Sequence, residues 1–308
     1  MSLILLGIAS AMEVLDYPAN LQWLASEEVT MVTVGRNSRK PIHLAQAVVL
    51  VVAAIFLAAG SVSAQGSAAA QLTELKSLVE KVRNPDTRIR VDAFHKVWTI
   101  ALGSDNSEVK LRSLELMAEP AGSASDHIRM PAVYAIAEVA NSTKDLQVKL
   151  KALAVLREPM QAAQLPIRIA AIDAVNSIVS SGKNSEVASA ALSLLGEPVR
   201  SGTNGVRIPA INAVMRAAEH GGSERNYNEA LDLLAAPLGS LAAIGGMEVR
   251  MMAVVAVERI GVAASETATK SRAMGLLQSY ANAGSWEPEA RRRAQEASSR
   301  IQNSIKQH

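Results

Sequence analysis

The sequence contains no cysteine. Disulfides, thiolate metal sites and a cysteine nucleophile are thereby excluded, and the chain suits an oxidising compartment, where a stray thiol is a liability. Aromatic residues are nearly as scarce, at 3% of 308 residues, although 49% of the chain is hydrophobic. An apolar content made mostly of alanine and unbranched or branched aliphatics fits close-packed helices better than strands, which favour aromatic and β-branched residues. The formal charge is +2, so no global field attracts nucleic acid or an acidic substrate. Catalytic signatures are also missing. There is no H-E-x-x-H, G-x-S-x-G, G-x-G-x-x-G or Walker loop, and "SSGKNS" around Lys183 lacks the upstream glycine. His95, His127, His220 and His308 have no short-spaced ligand partner. The expectation is a protein without catalytic residues, metal or cofactor.

Long apolar runs are absent too, with one exception. Ala47 to Ala59 is an uninterrupted apolar run of 13 residues. A bilayer-spanning helix needs about 20, whereas the core of a secretory signal needs roughly 7–15. Arg36, Arg39 and Lys40 precede the run, Gly60 ends it, and "SVSA" supplies small residues before a cleavage point after Ala64. Met31 opens a normal signal n-region, so residues 31–64 are expected to be a signal peptide and 1–30 a start-site artefact or disordered extension. Residues 65–70 would be a linker, 71–304 the folded domain and 305–308 a tail. Export to the periplasm or medium follows. If the segment is never cut, it is a membrane anchor instead.

The rest of the chain is periodic. Arg90, Arg129, Arg168, Arg207 and Arg250 open related segments ("IRVDAFHKV", "IRMPAVYAI", "IRIAAIDAV", "VRIPAINAV", "VRMMAVVAV") at spacings of 39, 39, 39 and 43. Pro120, Pro159, Pro198 and Pro237 keep the same beat of 39. Each period reads as two helices. The first carries Leu114, Leu116 and Met117 or their equivalents and is expected to stop before its proline. The second is expected to start near the arginine, with Pro131 and Pro209 in its first turn. Counted from the arginine, positions −1, +3, +4, +7 and +10 form one apolar stripe. Position +3 is always alanine: Ala93, Ala132, Ala171, Ala210 and Ala253. A repeated small residue implies a close neighbouring backbone. A sixth copy, from Ala290, keeps Ala294 and Ala297 but has Gln295 and Ser298 at the apolar positions, as a terminal cap requires.

Helix, proline, "VR" and an alanine-rich second helix resemble the HEAT repeat, "NPDTRIRVDAF" from Asn84 most of all. The resemblance covers residues 71–304. It implies an all-α, right-handed α-solenoid of about six helix pairs, with the second helices lining a concave side.

Two charged ladders stand out. The arginines sit near a helix N-terminus, against the macrodipole. Glu80, Glu119, Glu158 and Glu197, again 39 apart, sit at the opposite ends of the first helices. Two misplaced charges suggest mutual compensation in partly buried Glu–Arg contacts. On the second helices, position +5 reads His95, Tyr134, Asp173, Asn212, Val255 and Glu296. Position +9 reads Thr99, Glu138, Ser177, Arg216, Arg259 and Arg300. These should line the concave face, and their changing chemistry suits one irregular protein partner rather than a regular polymer. The insertion "PLGSLAAIGGME" from Pro237 and the basic cluster Arg291, Arg292 and Arg293 are secondary candidates for contact.

The expected function is a non-catalytic protein-interaction scaffold of the bacterial periplasm or envelope, binding a protein partner and no nucleic acid. HEAT-like repeats also resemble the bilin lyases, which act on tetrapyrroles, and a group of DNA glycosylases. Both work inside the cell, against the signal segment, and the glycosylase reading lacks a basic, aromatic groove. A membrane-tethered assembly factor is the alternative if the apolar segment is retained.

Overall fold

The computed structural model describes residues 67–123, 125–239, 246–283 and 288–306. The expected extension, signal segment and cleavage point lie outside them, as do residues 240–245 of the insertion and the last two of the tail. The described residues of the 64–308 unit form twelve helices and no strand. The first helices of the six pairs are α1 (Ala68–Val82), α3 (Ser107–Gly122), α5 (Leu146–Met160), α7 (Ser185–Ser201), α9 (Glu224–Gly239) and α11 (Thr267–Asn282). The second helices are α2 (Thr87–Leu102), α4 (Asp126–Asn141), α6 (Leu165–Ser180), α8 (Asn204–Gly221), α10 (Met247–Ala263) and α12 (Pro288–Lys306). First helices pack on first helices and second on second, which is the two-layer stack of an α-solenoid.

Local chemistry sets the helix starts. Ser67, Asp86, Asn106, Asp145 and Asn184 are N-caps whose side chains accept from main-chain N–H groups of the first turn. The Ser67 cap starts α1 at Ala68, ahead of the solenoid start read from the repeat. The caps also join repeats. Ser107 donates to Asp145 and Ser185 to Asn226, while Glu224 accepts from the main-chain N–H groups of Ser265 and Glu266.

The apolar columns meet in one continuous core. All five +3 alanines are at most 2% exposed, and Phe94, Val133, Ile172, Ile211 and Val254 at +4 are equally buried. From α4 onward, successive second helices contact one another more extensively than successive first helices do. The alanine column permits that closer approach of the second helices, the inner layer of the expected solenoid. In the last repeat Gln295 is exposed, but Ser298 is buried against Gln278.

The prolines do not end the first helices. Pro120, Pro159, Pro198 and Pro237 lie inside α3, α5, α7 and α9, and all four are buried. Proline forfeits one hydrogen bond in a last turn, where carbonyls are already short of intrahelical donors. Packing of the ring against neighbouring helices carries the turn onward. The second helices also begin earlier than expected, each three residues before its arginine. Pro131 and Pro209 therefore fall beyond the first turn of α4 and α8.

The earlier starts explain the arginines. Arg129 Nε donates to the Ala121 carbonyl at 3.0 Å, and Arg207 Nε to the Val199 carbonyl at 2.9 Å. Both acceptors sit one residue past the ladder proline, at the C-terminal end of the preceding first helix. Arg90 likewise donates to the carbonyls of Asn84 and Pro85. The cation opposes the dipole of its own helix but completes that of its neighbour. The compensating glutamates are exposed instead. Arg168 and Glu197 join the two ladders at 3.4 Å, whereas Glu119 pairs with Arg83 at 3.6 Å in full view of solvent.

The second-helix ends carry a device of their own. Lys110, 2% exposed, donates to Ser142 at 2.5 Å, and Ser142 passes the bond to the Val139 carbonyl. Lys149 repeats this through Ser181 to Ile178, and Lys270 through Ser304 to Ile301. Gln71 stands at the matching place in the first pair and receives a hydrogen bond from Ser104. Burial lowers the pKa of Lys110 and Lys149, and the C-terminal carbonyls favour the charged form there. Ala188 replaces the lysine in the fourth pair. There α8 ends instead on Gly222 at φ +60°, whose N–H donates to the Ala218 carbonyl, the usual glycine ending.

Arg207→Met is expected to cost about 1–3 kcal/mol in urea unfolding, because it strands a buried carbonyl. Glu197→Gln should cost less than about 0.5 kcal/mol. Equal losses would mean that the ladders act as ion pairs after all.

Candidate functional site

The outward strip of the inner layer is formed by the +5 and +9 positions. His95 and Thr99 on α2, Tyr134 and Glu138 on α4, and Asp173 and Ser177 on α6 are all exposed. Asn212 is half-buried and Arg216 exposed on α8, with Val255 half-buried and Arg259 exposed on α10. Glu296 and Arg300 continue the strip on α12. The strip divides into two halves of opposite character.

From α10 to α12 it is a neutralised ion network, whereas Arg216 on α8 pairs with no carboxylate among the described residues. Arg259 pairs with Glu219 at 2.7 Å. Glu258, only 7% exposed, is held by Arg293 at 2.9 Å and Arg300 at 2.8 Å, and Arg300 also reaches Glu296. Arg292 pairs with Glu289 and Glu296, so two of the three clustered arginines serve the terminal cap.

From α2 to α6 the charges are not matched. Among the described residues no lysine or arginine pairs with Glu138 or Asp173. Burial pushes both carboxyls above the ordinary carboxylate range, and in Glu138 a hydrogen bond from Trp98 offsets part of that rise. Burial also raises the Tyr134 phenol, with a further push from the nearby Asp173 charge. It lowers the His95 imidazole, against a smaller opposing pull from Asp92. Four neighbouring polar groups thus sit where charge is disfavoured, although each still reaches solvent.

The aromatic residues reinforce the distinction. Tyr227 and Tyr280 are buried, and Phe94 is in the core. Among the described residues only half-buried Trp98 and Tyr134, at 39% exposure, bring aromatic rings to the surface, and both do so on this stretch. Trp98 stacks on Phe94 with ring centroids 6.2 Å apart and lies 6.3 Å from the His95 ring. Trp98 stands outside the +5 and +9 positions, at +8. The other residues at +8 (Ala137, Asn176, Met215, Glu258 and Ser299) share no property that would single the column out.

A depression of about 700 Å³ lies on the first-helix side, between α5, α7 and α9. Its polar groups already satisfy one another: Ser189 donates to Glu229 at 2.9 Å and Arg225 to Glu229 at 2.8 Å. No group of three His, Cys, Asp or Glu side chains among the described residues could hold a metal ion, and none of the described helices is long and apolar enough to cross a membrane.

The chain is an all-α repeat protein of the α-solenoid class. No protein-family model matches it, and neither does any curated protein. Solved structures similar to it include engineered proteins. One engineered protein is 17% identical over 75% of this chain and 97% of its own, with a TM-score of 0.47. A designed armadillo repeat protein is 22% identical over 74% of this chain and 99% of its own, at 0.45. A second, in complex with the peptide (KR)4, is 21% identical over 75% and 99%, at 0.48.

A carboxyl whose folded pKa is raised adds stability below its unfolded pKa and forfeits it as pH rises through the folded value. Glu138→Gln and Asp173→Asn should therefore raise the unfolding midpoint at neutral pH by about 1–2 °C each. The gain should vanish as pH falls below the carboxylate range. Thermal melts against pH check this.

Proposed function

We propose that the protein is a non-catalytic interaction scaffold of the HEAT type, exported to the bacterial periplasm or cell envelope, whose protein partner seats on the inner face of α2, α4 and α6. One observation carries the reading. This stretch alone in the described inner strip combines surface aromatics with carboxylates that pair with no cation, while on α10 and α12 the charges are closed by their own ion pairs. Tyrosine and tryptophan in partly desolvated pockets are the usual anchors of protein interfaces. A stack of repeats supplies a rigid row of such anchors without needing a pocket. Export is supported by the 13-residue apolar run behind Arg36, Arg39 and Lys40, and by the absence of cysteine.

A photo-cross-linking side chain at Tyr134 should give a discrete protein adduct in the source cells, and one at Ser193 on the outer side should not. Adducts from Ser193 alone would overturn the reading. Intact mass of the native protein from separated fractions should show a species beginning at Gln65 outside the cytoplasm. A full-length cytoplasmic species would remove export.

A further inference from the structure

We infer that the first turn of α10 binds a small oxyanion, a carboxylate or a phosphate, held by Arg207 Nη1, the Asn204 amide and the main-chain N–H groups of Met247 and Glu248. The site lies in other repeats than the proposed interaction face and does not depend on it.

The sibling arginines define the site. Arg129 and Arg207 follow the same path, each Nε donating to the carbonyl one residue past the ladder proline. Arg129 Nη1 then donates to Gln164 Oε1 at 3.2 Å, and Gln164 is the N-cap of the next second helix. On that path Arg207 Nη1 points to the N-cap of α10, which is Gly246 and offers no side chain. Arg168 takes a different partner, Glu197 of the next first helix, at 3.4 Å. The residue 39 positions after Glu197, where a glutamate would face Arg207, is Ala236. Arg207 thus lacks both partners that its siblings use. Its Nη1 has no hydrogen-bond partner, although the residue is only 3% exposed.

The surroundings select negative charge. Burial depresses the Arg207 pKa, and the charge of Arg250 at the end of the first turn of α10 adds to that. No side chain caps the start of α10, so its first N–H groups keep their open positions. A Cβ at Gly246 would lie 3.3 Å from Asn204 Nδ2, which places that amide at the helix start. Asn204, Gly246 and Met247 are all exposed and form the entrance. Glu248, the acidic residue of that turn, is also exposed, where its charge is screened. A buried guanidinium aimed at a helix N-terminus favours an anion twice over, through its charge and through the helix dipole. The oxyanion supplies to Arg207 the oxygen that Gln164 and Glu197 supply to its siblings.

The test is thermal unfolding of the intact chain in sodium acetate or sodium phosphate, against sodium chloride at equal ionic strength. At least one oxyanion should raise the midpoint saturably, by about 2 °C or more. A larger response to acetate assigns a carboxylate ligand, and a larger response to phosphate a phosphate. Gly246→Gln restores the side chain that serves Arg129, and Ala236→Glu the one that serves Arg168. Each variant should unfold at a higher temperature in chloride alone, with helical circular dichroism unchanged. Each should also weaken the oxyanion response about fivefold or more, whereas Glu138→Gln on the interaction face should leave it as it is. No response to either oxyanion beyond that to chloride would overturn the inference. So would an undiminished response in either folded variant.

Discussion

The structure depends on one interaction, a cation placed at the carbonyl end of a neighbouring helix. Short helices have a large share of their residues in ends, and each C-terminal end leaves four carbonyls without intrahelical donors. A stack of twelve such helices buries many of those ends. Arg129 and Arg207 reach back to the first-helix ends from the opening turn of the second helix. Lys110, Lys149 and Lys270 reach forward to the second-helix ends through a serine. Each cation joins the two helices of a pair, so the bond that satisfies the carbonyl also sets the helix–helix register. Where the lysine is lost, at Ala188, a left-handed glycine supplies the ending instead.

With helix ends handled this way, the outward face of the second helices is released from structural duty. Its charges can be paired or left unpaired without loosening the stack. On α10 and α12 they are paired, Glu258 being enclosed by two arginines. On α2 to α6 they are not, and burial holds Glu138 and Asp173 away from their ordinary ionisation.

The columns of the core were legible because burial acts on every repeat alike. Ala93, Ala132, Ala171, Ala210 and Ala253 must be small in every copy, and a recurring constraint leaves a recurring letter. Pro120 and its equivalents were legible as a ladder but not as what they are. The rule that proline stops a helix describes a helix in isolation, and here neighbouring helices bury the ring and continue the turn. The arginine and glutamate ladders misled for a related reason. Side chains advertise their charge in a sequence, whereas main-chain carbonyls do not, so a carboxylate was the only visible partner for an arginine. The lysine device kept the 39-residue beat from Gln71 to Lys110 and Lys149, then broke at Ala188 and Tyr227, and an interrupted ladder does not stand out.

The sequence by itself determined the architecture: six helix pairs, their apolar stripes and the residues on the outward strip. These follow from periodicity, which is a local property repeated. Only the tertiary structure decided which half of that strip is available. Whether Arg259 is free or spent depends on Glu219, and whether Glu138 finds a hydrogen-bond donor depends on Trp98, each some 40 residues away in the chain. Pairing and desolvation are set by side chains brought together across repeats, and no column of letters records them.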